Sequence, residues 1–332
     1  MNNPPAISVV IAAFNAQSTL EAQLRALESQ RPGVGWELLV CDNGSTDGTA
    51  DLVRRAAERM PNLRLLDASA RRGPGAARNV GARAARAPLL AFCDADDVVG
   101  EDWLASMVET LGAETFVTGR SRRPEFNSRP GDPHSFDWGI YRVPFFPYLP
   151  AAGAGNMGVH RAAFLAVGGF DEGLSAGEDL DLCWRMQLAG HRLVEDPRAV
   201  VFVSNRQGLT ATITQSFAYG TGDRRLLYKY ALVGAAFRRE GPVPPADAPA
   251  AEQPGVPGDA GRDAEAGEPP RGTNADSFAA RAWRKMRSLR RLSDLTNAAH
   301  RAGAWAGFRF GRVDRSVPQV APPRELPPTW SG

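Results

Sequence analysis

The sequence predicts an α/β fold, with a mostly parallel central sheet covered by helices on both faces. Three observations predict it. Over the first 120 residues, short apolar runs alternate with segments of helical spacing. The apolar runs are almost unbroken, as in strands buried on both faces. The acidic stretches at 42–47 and 94–97 begin where two of those runs end.

Ile7–Ala13 is rich in β-branched residues and reads as the first strand. Leucines at 20, 24 and 27 give Thr19–Ser29 a helical period. Glu37–Cys41 is a second buried strand, ending in Asp42-Asn43-Gly44-Ser45-Thr46-Asp47-Gly48. In that turn Ser45 or Thr46 is suited to cap a helix running to about Arg59. Leu63–Leu66 reads as a third strand, Ala76–Ala85 as a helix and Pro88–Cys93 as a fourth strand. Ligands bind such sheets at the carboxyl ends of strands, where the strand order reverses. From Arg120 to Pro150 the pattern dissolves into prolines, glycines and aromatics, and a long irregular segment inside a domain points to function. Asn156–His160 is again a strand, Arg161–Val167 a helix, and Glu178-Asp179 opens a helix over Leu180–Ala189. Arg192–Glu195 and Ala199–Val203 read as two short strands, and helical patterning resumes from about Leu209 to Arg238.

The stretch 241–275 is dominated by Pro, Gly, Ala and acidic residues and has no aromatic residue. It cannot bury enough apolar surface to offset its ordering entropy, so it is expected to be a disordered linker. The chain therefore divides into a folded domain over 1–240, the linker, a basic amphipathic helical extension over 276–315 and a disordered tail over 316–332. In the extension, Trp283, Met286, Leu289, Leu292 and Leu295 recur near one helical face among many arginines. Such a helix suits the surface of an anionic membrane, or docking on the folded domain.

With 43% hydrophobic and 23% charged residues, the 332-residue chain has an ordinary globular composition, and a net charge of +2 makes no case for nucleic acid. Cys41, Cys93 and Cys183 lack metal-type spacing and read as small buried hydrophobes in a reducing compartment. The N-terminus lacks the charged start of a secretory signal. No apolar run approaches the ~20 residues of a membrane-spanning helix. The expected location is the cytoplasm, with peripheral contact at the inner face of the membrane.

Three constellations carry chemistry. Asp94, Asp96 and Asp97 follow a buried strand, where three carboxylates repel one another unless a cation compensates. Mg²⁺ or Mn²⁺ prefers such oxygen ligands and shares its coordination with substrate phosphates. The same run would also suit an acidic cap before a helix at Glu101–Leu111. In Gly73-Pro74-Gly75-Ala76-Ala77-Arg78-Asn79, a glycine-rich approach to a helix can present N–H groups to an anion, with Arg78 adding a charged fork. The glycines equally suit tight helix–strand packing. Finally, Glu178 and Asp179 stand together at a helix start, so one can orient a site while the other removes a proton.

Taken together, these residues resemble the family 2 glycosyltransferases. The likeness covers roughly residues 6–235 and rests on SVVIAAFNAQSTL, CDNGSTDGTADLV, GPGAARNVGARAA, LLAFCDADD and GGFDEGLSAGEDLDLCWRMQLAGH, in family order. It implies the A-type glycosyltransferase fold, with a Rossmann-like sheet in a catalytic domain over 1–240. It further implies an inverting transfer from a nucleotide-diphosphate sugar to a glycan or lipid-linked acceptor. Asp42 would hold the base or ribose, with Ala13 and Asn15 at the strand end forming the pocket wall. Arg78 would help place the nucleotide. Asp94 and Asp96 would be the metal-binding motif for Mn²⁺ or Mg²⁺, with Asp96 nearest the ion. Asp179 would be the catalytic base, with Glu178 close to the acceptor. Many relatives carry a further histidine ligand around Val203-Ser204-Asn205-Arg206, and this chain has none there. A sugar-nucleotide nucleotidyltransferase would need a glycine- and arginine-rich loop where Phe14-Asn15-Ala16-Gln17 stands. A noncatalytic glycan- or protein-binding relative would be expected to have lost Asp96 or Asp179.

Overall fold

The structure is a computed structural model that describes residues 4–122, 137–204, 209–240, 302–311 and 317–327. Its elements run β1 (Ile7–Ala13), α1 (Leu20–Glu28), β2 (Trp36–Asp42), α2 (Thr49–Arg59), β3 (Leu63–Asp67), α3 (Pro74–Ala84) and β4 (Leu89–Asp94). There follow β5 (Val98–Val99), α4 (Trp103–Leu111), β6 (Phe116–Arg122), β7 (Asp137–Trp138), β8 (Tyr141–Val143), β9 (Phe146–Ala151), β10 (Asn156–His160) and α5 (Arg161–Ala166). The series closes with α6 (Glu178–Leu188), β11 (Leu193–Phe202), α7 (Leu209–Lys229), α8 (Ala231–Glu240) and a helix over 302–310, α9.

Among the described residues a nine-stranded sheet has the order β3-β2-β1-β4-β10-β6-β11-β5, with β7 added to β6. β3, β2, β1 and β4 are parallel, β10 runs antiparallel between β4 and β6, and β11 is again parallel to β6. Successive residues of β1 serve opposite faces. Ile7, Val9 and Ile11 join a core with α1, α2 and α4, while Val10 joins a second core with α3 and α6. A strand feeding two cores has no polar face, which is why β1 and β2 read as unbroken apolar runs.

The strand order reverses around β1, which pairs with β2 on one side and β4 on the other. Register sets Ala13 opposite Asp42 and Ala12 opposite Asp94, so the carboxyl ends of three strands converge. Gly81 lets α3 lie against this sheet, since a Cβ there would overlap Val10 and sit 2.8 Å from the Cys41 sulfur.

Four expectations are corrected. Neither Ser45 nor Thr46 caps α2; Asp47 Oδ1 accepts the N–H of Thr49 (3.0 Å) and its hydroxyl (2.5 Å). The acidic run does not cap α4, because β5 intervenes and that helix begins only at Trp103. The two short strands near 192–203 are one, β11, whose pairing with β6 shifts between Asp196 and Val200. Of the segment expected to be irregular, 123–136 lies outside the described residues, and 137–151 is regular, with Trp138 in β7. The aromatics of 141–148 belong to a β8–β9 ribbon in which Tyr148 stacks on Phe237 of α8 (5.0 Å) and Phe146 tilts against Trp184 of α6 (4.5 Å).

The described chain divides into two compact units, Met1–Asn205 with Gly222–Ala251 and Val313–Gly332, and Arg206–Thr221 with Glu252–Arg312. The expected linker at 241–275 and most of the basic extension at 276–315 lie outside the described residues. The tail expected to be disordered is ordered over 317–327. Val320 N–H donates to the Lys229 carbonyl (2.8 Å), Gln319 Nε2 donates to the Tyr228 carbonyl (3.0 Å), and Val320 and Leu326 pack on the core. Among the described residues no helix is long and apolar enough to cross a membrane.

Candidate active site

The carboxyl ends of β1 and β2 are stitched together by one residue in an uncommon conformation. Asn15 has φ of 49°, a left-handed geometry that asparagine tolerates better than most residues. Its N–H donates to Ser45 Oγ (2.9 Å), and its Oδ1 accepts the N–H of Thr46 (2.8 Å). Asp42 accepts the N–H of Ser45 (3.1 Å), which fixes the turn beyond β2. Beside this turn Phe14 is half exposed, with the Arg72 guanidinium 4.7 Å from its ring centre. Phe14 and Arg72 form a flat, cationic platform that sequence reading missed; an apolar ring directly after a buried strand was the available signal.

The acidic run is braced from below. Gln23 of α1 is fully buried, donates to the Asp94 carbonyl (3.1 Å) and accepts the N–H of Val99 (2.9 Å). Asp97 is buried and accepts the N–H of Ser204 (3.3 Å), tying the run to the end of β11. Asp94 and Asp96 remain partly exposed.

Arg78 joins the run to the start of α6. It is buried, donates from Nη2 to Asp94 Oδ1 (2.6 Å) and from Nη1 to Glu178 Oε1 (3.2 Å), and lies 5.4 Å from the Phe170 ring centre. Its Nε is buried without a hydrogen-bond partner. Burial opposes its charge, but Asp94 and Glu178 outweigh burial and hold it above the ordinary arginine range. Its hydrogen bonds thus go to protein carboxylates rather than outward as a free fork. Gly75 permits the approach, because a Cβ there would lie 3.1 Å from Phe170 and 3.3 Å from Glu178.

Asp179 is part-buried beside Glu178, and its Oδ1 accepts the N–H of Leu180 (2.9 Å). Burial, reinforced by the neighbouring Glu178 charge, pushes its carboxyl up to about 7. The wall facing these acids is the β9–β10 turn, also missed from sequence. A Cβ on Gly153 would lie 4.0 Å from Asp179 Oδ2, while one on Gly155 would lie 2.6 Å from Asp94 Oδ2 and 3.5 Å from Asp97 Oδ2. These glycines act by lacking side chains, leaving room between the two acidic groups. The structure thus brings Ala13, Asn15, Asp42 and Asp94 to one sheet edge and links Asp94 through Arg78 to Glu178 and its neighbour Asp179.

The donor set can be tested against a divalent cation. Among the described residues no three His, Cys, Asp or Glu side chains form a ready-made metal cage. Asp94 gives one oxygen to Arg78, and Asn205 lies outside the described residues. What is left is an all-oxygen set at the strand end, over the space that Gly155 keeps clear. That set fits a hard cation retaining phosphate and water ligands, and it does not fit a fully protein-bound one. The cysteines are free and buried, and burial pushes the Cys41 thiol up to about 12, so it offers no thiolate.

The family model described as Glycosyl transferase family 2 matches residues 8–165. The chain is 32% identical over 270 residues to the succinoglycan biosynthesis protein ExoO of Rhizobium meliloti, covering 70% of this chain and 73% of that protein. It is 29% identical over 231 residues to a pre-mycofactocin glycosyltransferase of Mycobacterium tuberculosis, covering 64% of this chain but only 46% of the relative, so it spans about half of that protein's length. A solved mannosyltransferase from Pyrobaculum calidifontis, PcManGT in complex with GDP-Man and Mn²⁺, matches with a TM-score of 0.52 at 21% identity, covering 94% of this chain and 77% of that one. At that identity the likeness is one of fold.

Proposed function

The chain belongs to glycosyltransferase family 2 and has the A-type fold, and from that premise we propose that it moves a sugar from a nucleotide-diphosphate donor to a glycan or lipid-linked acceptor, inverting the anomeric centre. The observation that carries the reading is the Arg78 bracket, which fixes Asp94 on the donor side to Glu178, adjacent in sequence to Asp179, whose carboxyl burial pushes up to about 7. The description of ExoO as a succinoglycan biosynthesis protein supports a role in cell-envelope polysaccharide or glycolipid synthesis. The GDP-Man and Mn²⁺ of the Pyrobaculum enzyme accord with a nucleotide-sugar donor and a divalent ion.

In this mechanism the Asn15–Asp42 edge holds the nucleoside, with Ala13 as pocket wall. Asp96, assisted by Asp94, would hold Mn²⁺ or Mg²⁺, which supplies charge neutralisation for the departing diphosphate. Arg78 acts on the donor indirectly, by holding the Asp94 carboxylate in one orientation. Asp179 takes the proton from the acceptor hydroxyl as that oxygen attacks the anomeric carbon on the face opposite the diphosphate. A base held near 7 is matched to this task at physiological pH. Glu178, anchored by Arg78, orients the acceptor and keeps Asp179 basic through its charge. The basic stretch 276–315 belongs to the same reading as a peripheral contact with an anionic membrane at its cytoplasmic face.

The test is a thermal-shift screen of UDP-, dTDP- and GDP-sugars with and without Mn²⁺, since a ligand that binds only the folded state raises apparent stability. One nucleotide class should raise the transition, and more so with the ion. No shift with any nucleotide sugar would overturn the donor assignment, and full turnover in chelator would overturn the metal role.

A further inference from the structure

The helix α9 is arranged inside out for a helix in water. Gly303 and Gly307 are buried, as is Gly311 just beyond it, whereas Trp305 is 62% and Phe310 64% exposed. The glycines, four residues apart, face the first part of α7 within the same compact unit. A Cβ on Gly307 would overlap the Phe217 carbonyl oxygen, one on Gly303 would lie 2.8 Å from the Ile213 carbonyl oxygen, and one on Gly220 of α7 would overlap the Ala304 carbonyl oxygen. The two backbones therefore touch along a seam of small residues, the packing that helices use where the surrounding solvent is itself apolar. In water the larger gain would come from turning the rings into the seam.

Counting 100° per residue, Trp305 stands opposite the glycines and Phe308 is on the same outer side, while Phe310 falls on the glycine side at the helix end and is exposed there. Trp305 and Phe310 meet edge to face at 5.6 Å, and α7 adds the exposed Ile213 and Phe217. Tryptophan and phenylalanine clustered on an exposed face mark a contact surface rather than scattered exposure. The partner's charge follows from the sequence, because residues 278–315 carry ten basic residues against Asp294 and Asp314 alone. Among the described residues no helix is long and apolar enough to cross a membrane.

We propose that the α7–α9 surface seats on an anionic lipid bilayer, with Trp305, Phe308 and Phe310 entering the boundary between headgroups and acyl chains and the basic sequence around α9 supplying the attraction to anionic lipid. This deepens the membrane part of the proposed function, moving the contact from the leucine-spaced stretch 283–295 to a built aromatic face, and it makes no use of the transfer chemistry.

The experiment is co-sedimentation of the full chain with vesicles of phosphatidylcholine, with and without phosphatidylglycerol. Wild type should bind the anionic vesicles roughly tenfold or more tightly than the neutral ones. The W305S/F308S/F310S variant should bind the anionic vesicles roughly tenfold or more weakly, with its thermal transition unchanged. If that variant does not fold, W305S alone, at a position open to solvent, gives the same direction of change. Equal binding to both vesicle types, or undiminished binding by the variants, overturns the proposal. So does a dimer in lipid-free solution that the variants dissociate, which would make a second copy the occupant, or capture on a DNA duplex as tight as on vesicles. D179N, inactive under the proposed function, should bind vesicles like wild type, so failure of transfer and failure of docking are read separately.

Discussion

Replacing Asp179 by Asn removes the proposed base and one costly charge together, and the two effects have different pH signatures. A carboxyl held at about 7 in the folded protein, against an ordinary 3.8, is harder to ionise folded than unfolded. The penalty is therefore absent below about 3.8, accumulates as pH rises toward 7 and is complete above it. At about 1.4 kcal/mol per tenfold change in proton affinity, the ceiling is about 4 kcal/mol, and partial exposure of Asp179 reduces this to roughly 2 kcal/mol. Asn carries no charge, so the variant should melt higher than wild type by roughly 5 °C at pH 8 and by nothing at pH 4. Transfer at pH 8 should fall by about 10²–10⁴-fold while donor binding persists. The assays are thermal denaturation at both pH values and turnover with a fixed donor. A stability change of equal size at pH 4 and pH 8, or surviving transfer, would refute the reasoning. In wild type, the same group predicts a rate that falls as pH drops below about 7, because the base is then protonated.

Other perturbations follow from single contacts. Arg78→Met strands Asp94 and the buried Glu178 without their counter-charge and should cost roughly 3 kcal/mol, read as a lower denaturation midpoint, with transfer abolished. Gly155→Ala introduces a Cβ where Asp94 Oδ2 stands and should lower transfer by roughly tenfold or more, with little change in melting temperature; an unaffected rate would mean Asp94 has room to move. Lys229 bridges Asp171 (2.6 Å) and the fully buried Asp181 (2.7 Å), so Lys229→Met should destabilise by about 3 kcal/mol, measured by urea denaturation. Burial opposes ionisation of Asp171, yet its hydrogen bond to Lys229 and the nearby charges hold its carboxyl below the usual range. That contribution is present at neutral pH and is lost as pH falls below about 4, so the Lys229→Met deficit should shrink there.

The sheet was legible because β1, β2 and β4 are buried on both faces, and burial on both faces writes itself into sequence as an unbroken apolar run. The acidic edge was legible for a related reason: charges that follow such a run must sit at the mouth of the sheet. What escaped was information held in distance or in absence. Arg78 reads as an anion fork because its partners, 16 and 100 residues away, have no local trace. Gly153 and Gly155 contribute only the space they leave. The β8–β9 ribbon is interrupted by prolines at 144, 147 and 150, which hide its alternation, although its rings form much of one core. The tail over 317–327 holds on through hydrogen bonds to two backbone carbonyls of α7 and a few apolar contacts, which composition does not register.

That docked tail changes what kind of object the stretch 252–312 is. Residues 222–251 and 313–332 belong to one compact unit while 252–312 belongs with 206–221 to the other, so in sequence the stretch is an insertion between two parts of one unit. The entropy of closing such an insertion grows only with the logarithm of its length, so the packing of α9 on α7, rather than length, decides what a change there costs. Shortening from the C-terminus is another matter, because it pulls Val320 and Leu326 off the core before it reaches the aromatic face. Excision of 252–312 would leave that tail in place but strip Phe217 and Gly220 of α7 of the helix they pack against.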